Sequence, residues 1–130
     1  MITTPAEYRP LLAVEADPAA MARTGYVFCA LRRELDWHIA VSTTAILTHE
    51  RRAATVAALE VRDAVAQLLE FTPWDLALEA LAGILERTTM DFERSDGTGF
   101  SYAVDADQLE YRADAAARVR LILRGAEVIL

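Results

Sequence analysis

Apolar residues recur at steps of three and four along most of this chain, and the spacing changes only once, between residues 90 and 104. Such steps place apolar side chains on one face of an α-helix. The stretch from Glu50 to Glu70 is the clearest case, with alanine, valine and leucine on one stripe and a polar stripe opposite. The polar stripe, which contains Glu60 and Asp63, is expected to face solvent. The chain is therefore predicted to be mainly helical.

Further helix starts are marked by a capping residue followed by proline, at Thr4-Pro5, Asp17-Pro18 and Thr72-Pro73. The first of these predicts a short helix over residues 4–14. The helix that begins near residue 18 carries an apolar stripe, which is Phe28, Leu31, Leu35, Ile39 and Ile46. The β-branched residues of positions 41–44 disfavour a helix, so a bend near Ser42 stays open.

The change of spacing predicts a β-hairpin. Residues 90–93 and 100–104 alternate between apolar and polar side chains, and Asp96-Gly97 between them is turn chemistry. A last helix is predicted to start near Asp105 and to end at Gly125. The predicted fold is a single helical domain over residues 1–130, with four to five helices and one hairpin (about 90–104) before the last helix.

The charge is concentrated in one window. The chain of 130 residues has a net charge of −7, and residues 91–110 contain six acids and one arginine, which gives −5 of that total. Such a face either keeps the protein soluble, repels polyanions, or meets a basic partner. No apolar stretch long enough to span a bilayer and no signal peptide are visible, so a membrane partner is not expected.

Candidate catalytic groups are few. Arg33 and His38 match the loose Arg-x4-His spacing of HEPN ribonucleases, although His38 shares the apolar face and is better explained as a buried histidine. Glu60 and Asp63 form half of a magnesium motif, for which the preceding helix offers no matching pair. Cys29 lies among apolar residues and is expected to be a buried, unreactive thiol. We assign no catalytic residue, metal ligand or cofactor from the sequence.

The last three residues, Val128, Ile129 and Leu130, form an apolar end. They are expected to pack as an added strand on the chain's own hairpin. The alternative is that they dock on a neighbouring chain.

The layout of helices and hairpin, the opening Thr4–Leu12 and the segment Glu93–Asp105 together resemble the head–tail connector (adaptor) proteins of long-tailed bacteriophages. The resemblance implies a non-enzymatic structural protein of the virion. Such proteins form a ring at the head–tail junction, in contact with copies of themselves and neighbouring assembly proteins, and DNA passes through without specific binding.

Read together with that resemblance, the hairpin and the apolar end are predicted to supply the interfaces between copies. The predicted interface residues are Asp96, Gly97, Phe100, Tyr102, Val128, Ile129 and Leu130. An acidic lining would let DNA slide through the channel, because like charges repel phosphate. The predicted acidic face consists of Asp91, Glu93, Asp105, Asp107 and Glu110.

Two other functions stay open. The chain could be a small acidic protein-interaction module, such as an immunity protein, inhibitor or chaperone, which would place it in the cytoplasm rather than in a virion. It could also be a HEPN-like ribonuclease that uses Arg33 and His38.

Overall fold

The computed structural model describes residues 18–129, apart from the side chain of Phe92. The predicted helix at residues 4–14, the cap residue Asp17 and the last residue, Leu130, lie outside this range. Four helices and one hairpin make up the described part of the chain. In order they are α1 (Pro18–Thr44), α2 (Thr48–Leu69), α3 (Trp74–Leu85), β1 (Thr89–Glu93), β2 (Gly99–Ala103) and α4 (Ala106–Glu127). The predicted mainly α fold, with a hairpin before the last helix, is confirmed.

The four helices share one core. Helix α1 packs mainly on α2, and α3 packs mainly on α4. Each helix contributes an apolar stripe, and the core contains Val27, Leu31, Val61, Leu68, Leu78, Leu81, Leu85 and Val119. Many of the remaining buried positions are alanines, so the helix axes can approach closely at these contacts.

The predicted stripe of α1 is wrong in its second half. The buried residues are Val27, Phe28, Leu31, Glu34 and His38, so the stripe turns onto two polar side chains. Ile39 is 48% exposed and Ile46 is 91% exposed. Ile46 lies in the connection after α1, beyond the reach of the core.

Helix α1 is also continuous through residue 42, so no extended piece interrupts it at Ser42. The hydroxyl groups of Ser42, Thr43 and Thr44 donate to carbonyl oxygens of Ile39 and Ala40 one turn back. These bonds satisfy the hydroxyl groups within the helix and do not interrupt it.

Two predicted helix ends differ from the structure. Pro73, and not Thr72, occupies the capping position of α3, and no side chain caps that helix. Helix α4 continues through Gly125 to Glu127. Gly125 instead permits a close approach to α1, because a Cβ atom there would lie 2.5 Å from the Tyr26 hydroxyl oxygen.

The hairpin stands outside the helical core. Strands β1 and β2 pair antiparallel, with Met90 opposite Tyr102 and Asp91 opposite Ser101. Every residue of β2 is exposed, so this strand is solvated on both of its faces. No residue of the hairpin belongs to the core cluster of the described chain. We call residues 89–103 the hairpin arm.

Candidate functional site

The hairpin arm carries four of the predicted interface residues. Asp96 and Gly97 form its tip, where the Asp96 carboxylate accepts hydrogen bonds from the Thr98 backbone N–H and hydroxyl group. Gly97 has a φ of 84°, which explains the glycine. Phe100 is 40% exposed and Tyr102 is 46% exposed, and their ring centroids are 6.4 Å apart. The arm therefore presents an aromatic pair to solvent.

The acidic face is exposed at all five of its positions. Three of its carboxylates have side-chain partners in the described residues. Asp91 accepts a hydrogen bond from the Ser101 hydroxyl at 2.5 Å, and Asp105 accepts one from the Gln108 amide at 3.5 Å. Asp107 lies 3.8 Å from His49, in a contact that solvent screens. The hydrogen bonds from Thr98 hold the pKa of Asp96, at the arm's tip, below its ordinary value. These carboxylates surround the arm and the start of α4.

The tail segment, which we define as Val128 and Ile129, does not pack on the hairpin. The sheet has only two strands in the described chain, and α4 runs directly into the tail. The predicted added strand is therefore wrong, because the continuing helix carries the tail away from the hairpin. Val128 is 76% exposed.

A cleft separates the hairpin arm from α2. This hairpin cleft has a volume of about 450 Å³. It is lined by Met90 and Tyr102 of the arm, by Val104 directly after the arm, and by Arg52 and Val56 of α2. The start of α4 closes one end of it. Its volume is in the range of ligand pockets, and its walls are largely apolar.

A second concave surface lies between α1 and α4. This α1–α4 groove, of about 480 Å³, is lined by Tyr26, Trp37 and Leu121, among others. Trp37 is 55% exposed and Leu121 is 60% exposed. The Arg118 guanidinium lies 6.0 Å from the centre of the Trp37 ring. Exposed aromatic and aliphatic side chains beside an arginine are typical of protein-binding surfaces.

Beneath the groove lies a polar network that links α1 and α4. The Glu34 carboxylate accepts a hydrogen bond from Arg118 Nε at 2.9 Å, and His38 Nε2 lies 3.0 Å from it. Tyr111 Oη lies 2.5 Å from His38 Nδ1. Because a carboxylate can only accept, we assign the ring proton to Nε2, so that Tyr111 donates to Nδ1. Burial raises the pKa of Tyr111 to about 12.

The contacts of His38 in this network are those of a structural histidine. Its side chain is fully buried, as the sequence favoured, with Tyr111 Oη beside Nδ1 and a Glu34 carboxylate oxygen 3.0 Å from Nε2. Arg33, by contrast, is exposed and lines the α1–α4 groove. The two residues of the HEPN-like pattern therefore do not share one surface of this chain.

A second buried ion pair links three helices. Arg112 is 2% exposed, and its guanidinium donates to both carboxylate oxygens of Glu60 and to the Ile84 carbonyl oxygen. The prediction that Glu60 is solvated is therefore wrong, because the arginine draws it inward. Sequence reasoning missed Arg112, although it precedes the buried Ala115 and Ala116 by three and four residues on the same stripe.

Cys29 is exposed, so the prediction of a buried thiol is wrong. Its helix turns Val27 and Phe28 inward, which leaves position 29 on the outer side. Within residues 18–129, no three His, Cys, Asp or Glu side chains form a group that could hold a metal ion.

The chain matches no protein-family model, and no curated protein and no solved structure is significantly similar to it. No helix between residues 18 and 129 combines the length and apolar character needed to span a membrane.

Proposed function

We propose that this chain is a non-enzymatic structural protein that acts by self-association, and that it forms part of the head–tail connector ring of a phage virion. The observation that carries the proposal is the hairpin arm. A two-stranded hairpin is at best marginally stable in water. This arm is exposed along β2 and shares none of the core, so contact with a neighbouring chain would stabilise it.

Other exposed apolar surface supports the same proposal. Trp37 and Leu121 in the α1–α4 groove and Val128 in the tail segment are each more than half exposed. Exposed apolar clusters of this kind mark protein-binding surfaces. The groove is a second position at which a neighbouring assembly protein would bind.

The acidic face suits a protein beside DNA that must not bind it. Its carboxylates stand together around the arm and the start of α4, in a chain whose net charge is already −7. Phosphate would be repelled from such a surface, so DNA would pass without adhesion.

The test is the mass of the native particle. We expect the purified chain at micromolar concentration to form a discrete oligomer by sedimentation velocity and native mass spectrometry, and its natural source to contain it in a particle of virion size. A chain that stays monomeric at all accessible concentrations and is absent from such particles would overturn the proposal.

A matched pair of variants connects the oligomer to the arm. Phe100→Ser with Tyr102→Ser should reduce assembly, because both rings are exposed and lie outside the core. Leu76→Ser is the control, since Leu76 is 55% exposed on α3, away from the arm and the groove. Equal effects of the arm and control variants would count against the arm.

The acidic face favours one second candidate, a small interaction module that binds a basic protein. Its carboxylates would then meet arginine and lysine side chains of the partner, and the chain alone would be a monomer. Charge reversal at Asp91, Glu93 and Glu110 separates the two candidates. It should abolish binding to a basic partner in the second case, and should make the oligomer retain DNA in a salt-dependent way in the first.

A further inference from the structure

The hairpin cleft and the tail segment lie at opposite ends of α4. Asp105 and Gln108, at the start of α4, close the cleft, and the tail segment follows Glu127 at its other end. Helix α4 has 22 residues. At 1.5 Å per residue it spans about 33 Å, a distance that the two residues of the tail segment cannot cover. The tail of one molecule therefore cannot fill the cleft of the same molecule.

The cleft and the tail have complementary chemistry. Val56 is 39% exposed and Tyr102 is 46% exposed on opposite walls of the cleft. Val128 is 76% exposed, and burial of such aliphatic surface against these walls is favourable.

Charged residues beside the cleft and the tail favour one orientation of docking. The exposed residue Glu127 directly precedes the tail, and the exposed residue Arg52 lies on the α2 side of the cleft. Asp105 lies on the α4 side. A tail that enters along α2 would bring Glu127 toward Arg52 and keep it away from Asp105.

We propose that the tail segment of one copy docks in the hairpin cleft of a second copy. This inference rests on the proposed function as a self-associating protein, and it names the two surfaces that meet. The contact is heterologous, because each copy contributes its tail to one neighbour and its cleft to the other. Repeated contacts of this kind generate a closed ring or an open filament.

Docking would also cover the arm. The two strands of the arm each leave one edge without a strand partner in the described chain. A tail lying in the cleft would shield the apolar residues Met90 and Tyr102, and this explains how an otherwise solvated hairpin is held in place.

The experiment mixes two single-cysteine chains in a Cys29→Ser background. One chain carries Val56→Cys in the cleft and the other carries Val128→Cys in the tail. On mild oxidation we expect a disulfide between the two different chains. A chain with Leu76→Cys on α3 replaces the cleft variant as the control and should not couple to the tail variant.

A charge exchange tests the same contact without cysteines. Arg52→Glu and Glu127→Arg should each weaken assembly about tenfold, and the double variant should restore it. Arg62→Glu, at an exposed position of α2 away from the cleft, is the matched control and should change assembly little.

Failure of the proposed function and failure of the docking proposal would give different results. A wild-type chain that never assembles contradicts the proposed function itself. A chain that assembles but shows no cleft–tail disulfide, or couples tail to tail, overturns only the docking proposal. Unaltered assembly in both single charge variants would overturn it as well.

Discussion

Arg112 of α4 and Glu60 of α2 form an ion pair inside the protein, with Arg112 Nη2 2.8 Å from Glu60 Oε1. The side chains are 2% and 11% exposed. Arg112→Ala would leave the carboxylate partly buried without its partner and would also remove a donor to the Ile84 carbonyl. We expect the free energy of unfolding to fall by about 3–5 kcal/mol, as measured by urea denaturation at fixed protein concentration.

Arg62→Ala is the control for this loss. Arg62 is exposed on α2, so its removal should change the free energy of unfolding by less than about 0.5 kcal/mol. The double variant Glu60→Gln with Arg112→Ala should lose less than the sum of the losses of Glu60→Gln and Arg112→Ala alone, because the two groups are coupled. Additive losses would show that the pair does not act as a unit.

The Glu34 carboxylate should make the free energy of unfolding depend on pH in the acidic range. Burial alone would raise the pKa of Glu34, but hydrogen bonds from His38 and Arg118 outweigh it and place the pKa below its ordinary value. In acid the unfolded chain therefore takes up this proton before the folded chain does. The contribution of Glu34 is present above the unfolded pKa and is lost as the pH falls through the folded pKa.

Urea denaturation of the wild type and Glu34→Gln at several pH values from 7 down to 3 measures this dependence. We expect the difference in stability between the two proteins to shrink as the pH falls below the ordinary range of a glutamate. Glu79→Gln, at an exposed position of α3, should run parallel to the wild type. A constant difference for Glu34→Gln would contradict the assigned ion pair.

Phe71 should be replaceable by glycine with a gain in stability. It has a φ of 67°, at the end of α2. The Thr72 N–H bonds to the Gln67 carbonyl and the Phe71 N–H to the Leu68 carbonyl, which is the Schellman arrangement that favours glycine at this position. The ring is 64% exposed, so little packing would be lost. We expect Phe71→Gly to raise the free energy of unfolding by about 1 kcal/mol.

Phe71→Ala separates the effect of the backbone conformation on stability from the effect of the aromatic ring. Alanine keeps the unfavourable φ and removes the aromatic side chain, so no gain is expected. An equal gain in both variants would assign the effect to the ring instead.

The fold could be read from the sequence because its signals are local. Helix α2 and the hairpin follow from residue spacing and from the Asp96-Gly97 turn, and each has one dominant pattern. The buried face of α1 is less well predicted from the sequence, because a helical series of apolar residues can begin at either Val27 or Phe28. Only packing against the other helices decides that Glu34 and His38, and not Ile39, face inward.

The ion pairs could not be read from the sequence, because they join residues far apart in the chain. Arg112 and Glu60 are separated by 52 positions, and Arg118 and Glu34 by 84. A charged residue on an apolar stripe is a weak signal unless its partner is known. The hairpin residues of the candidate interface were predictable as exposed turn and strand positions, whereas the cleft depends on how the arm sits beside α2.

Cys29 provides a direct test of the orientation of α1. The structure places this thiol, the one cysteine of the chain, at the surface. Ellman's reagent should therefore modify one thiol per chain without denaturant, at a rate comparable with that of the urea-unfolded chain. Ala57→Cys in a Cys29→Ser background is the control, because Ala57 is fully buried and its replacement should react only as the protein unfolds. A slow reaction of Cys29 that awaits unfolding would mean that α1 is rotated about its axis, and would return His38 and Glu34 toward the surface.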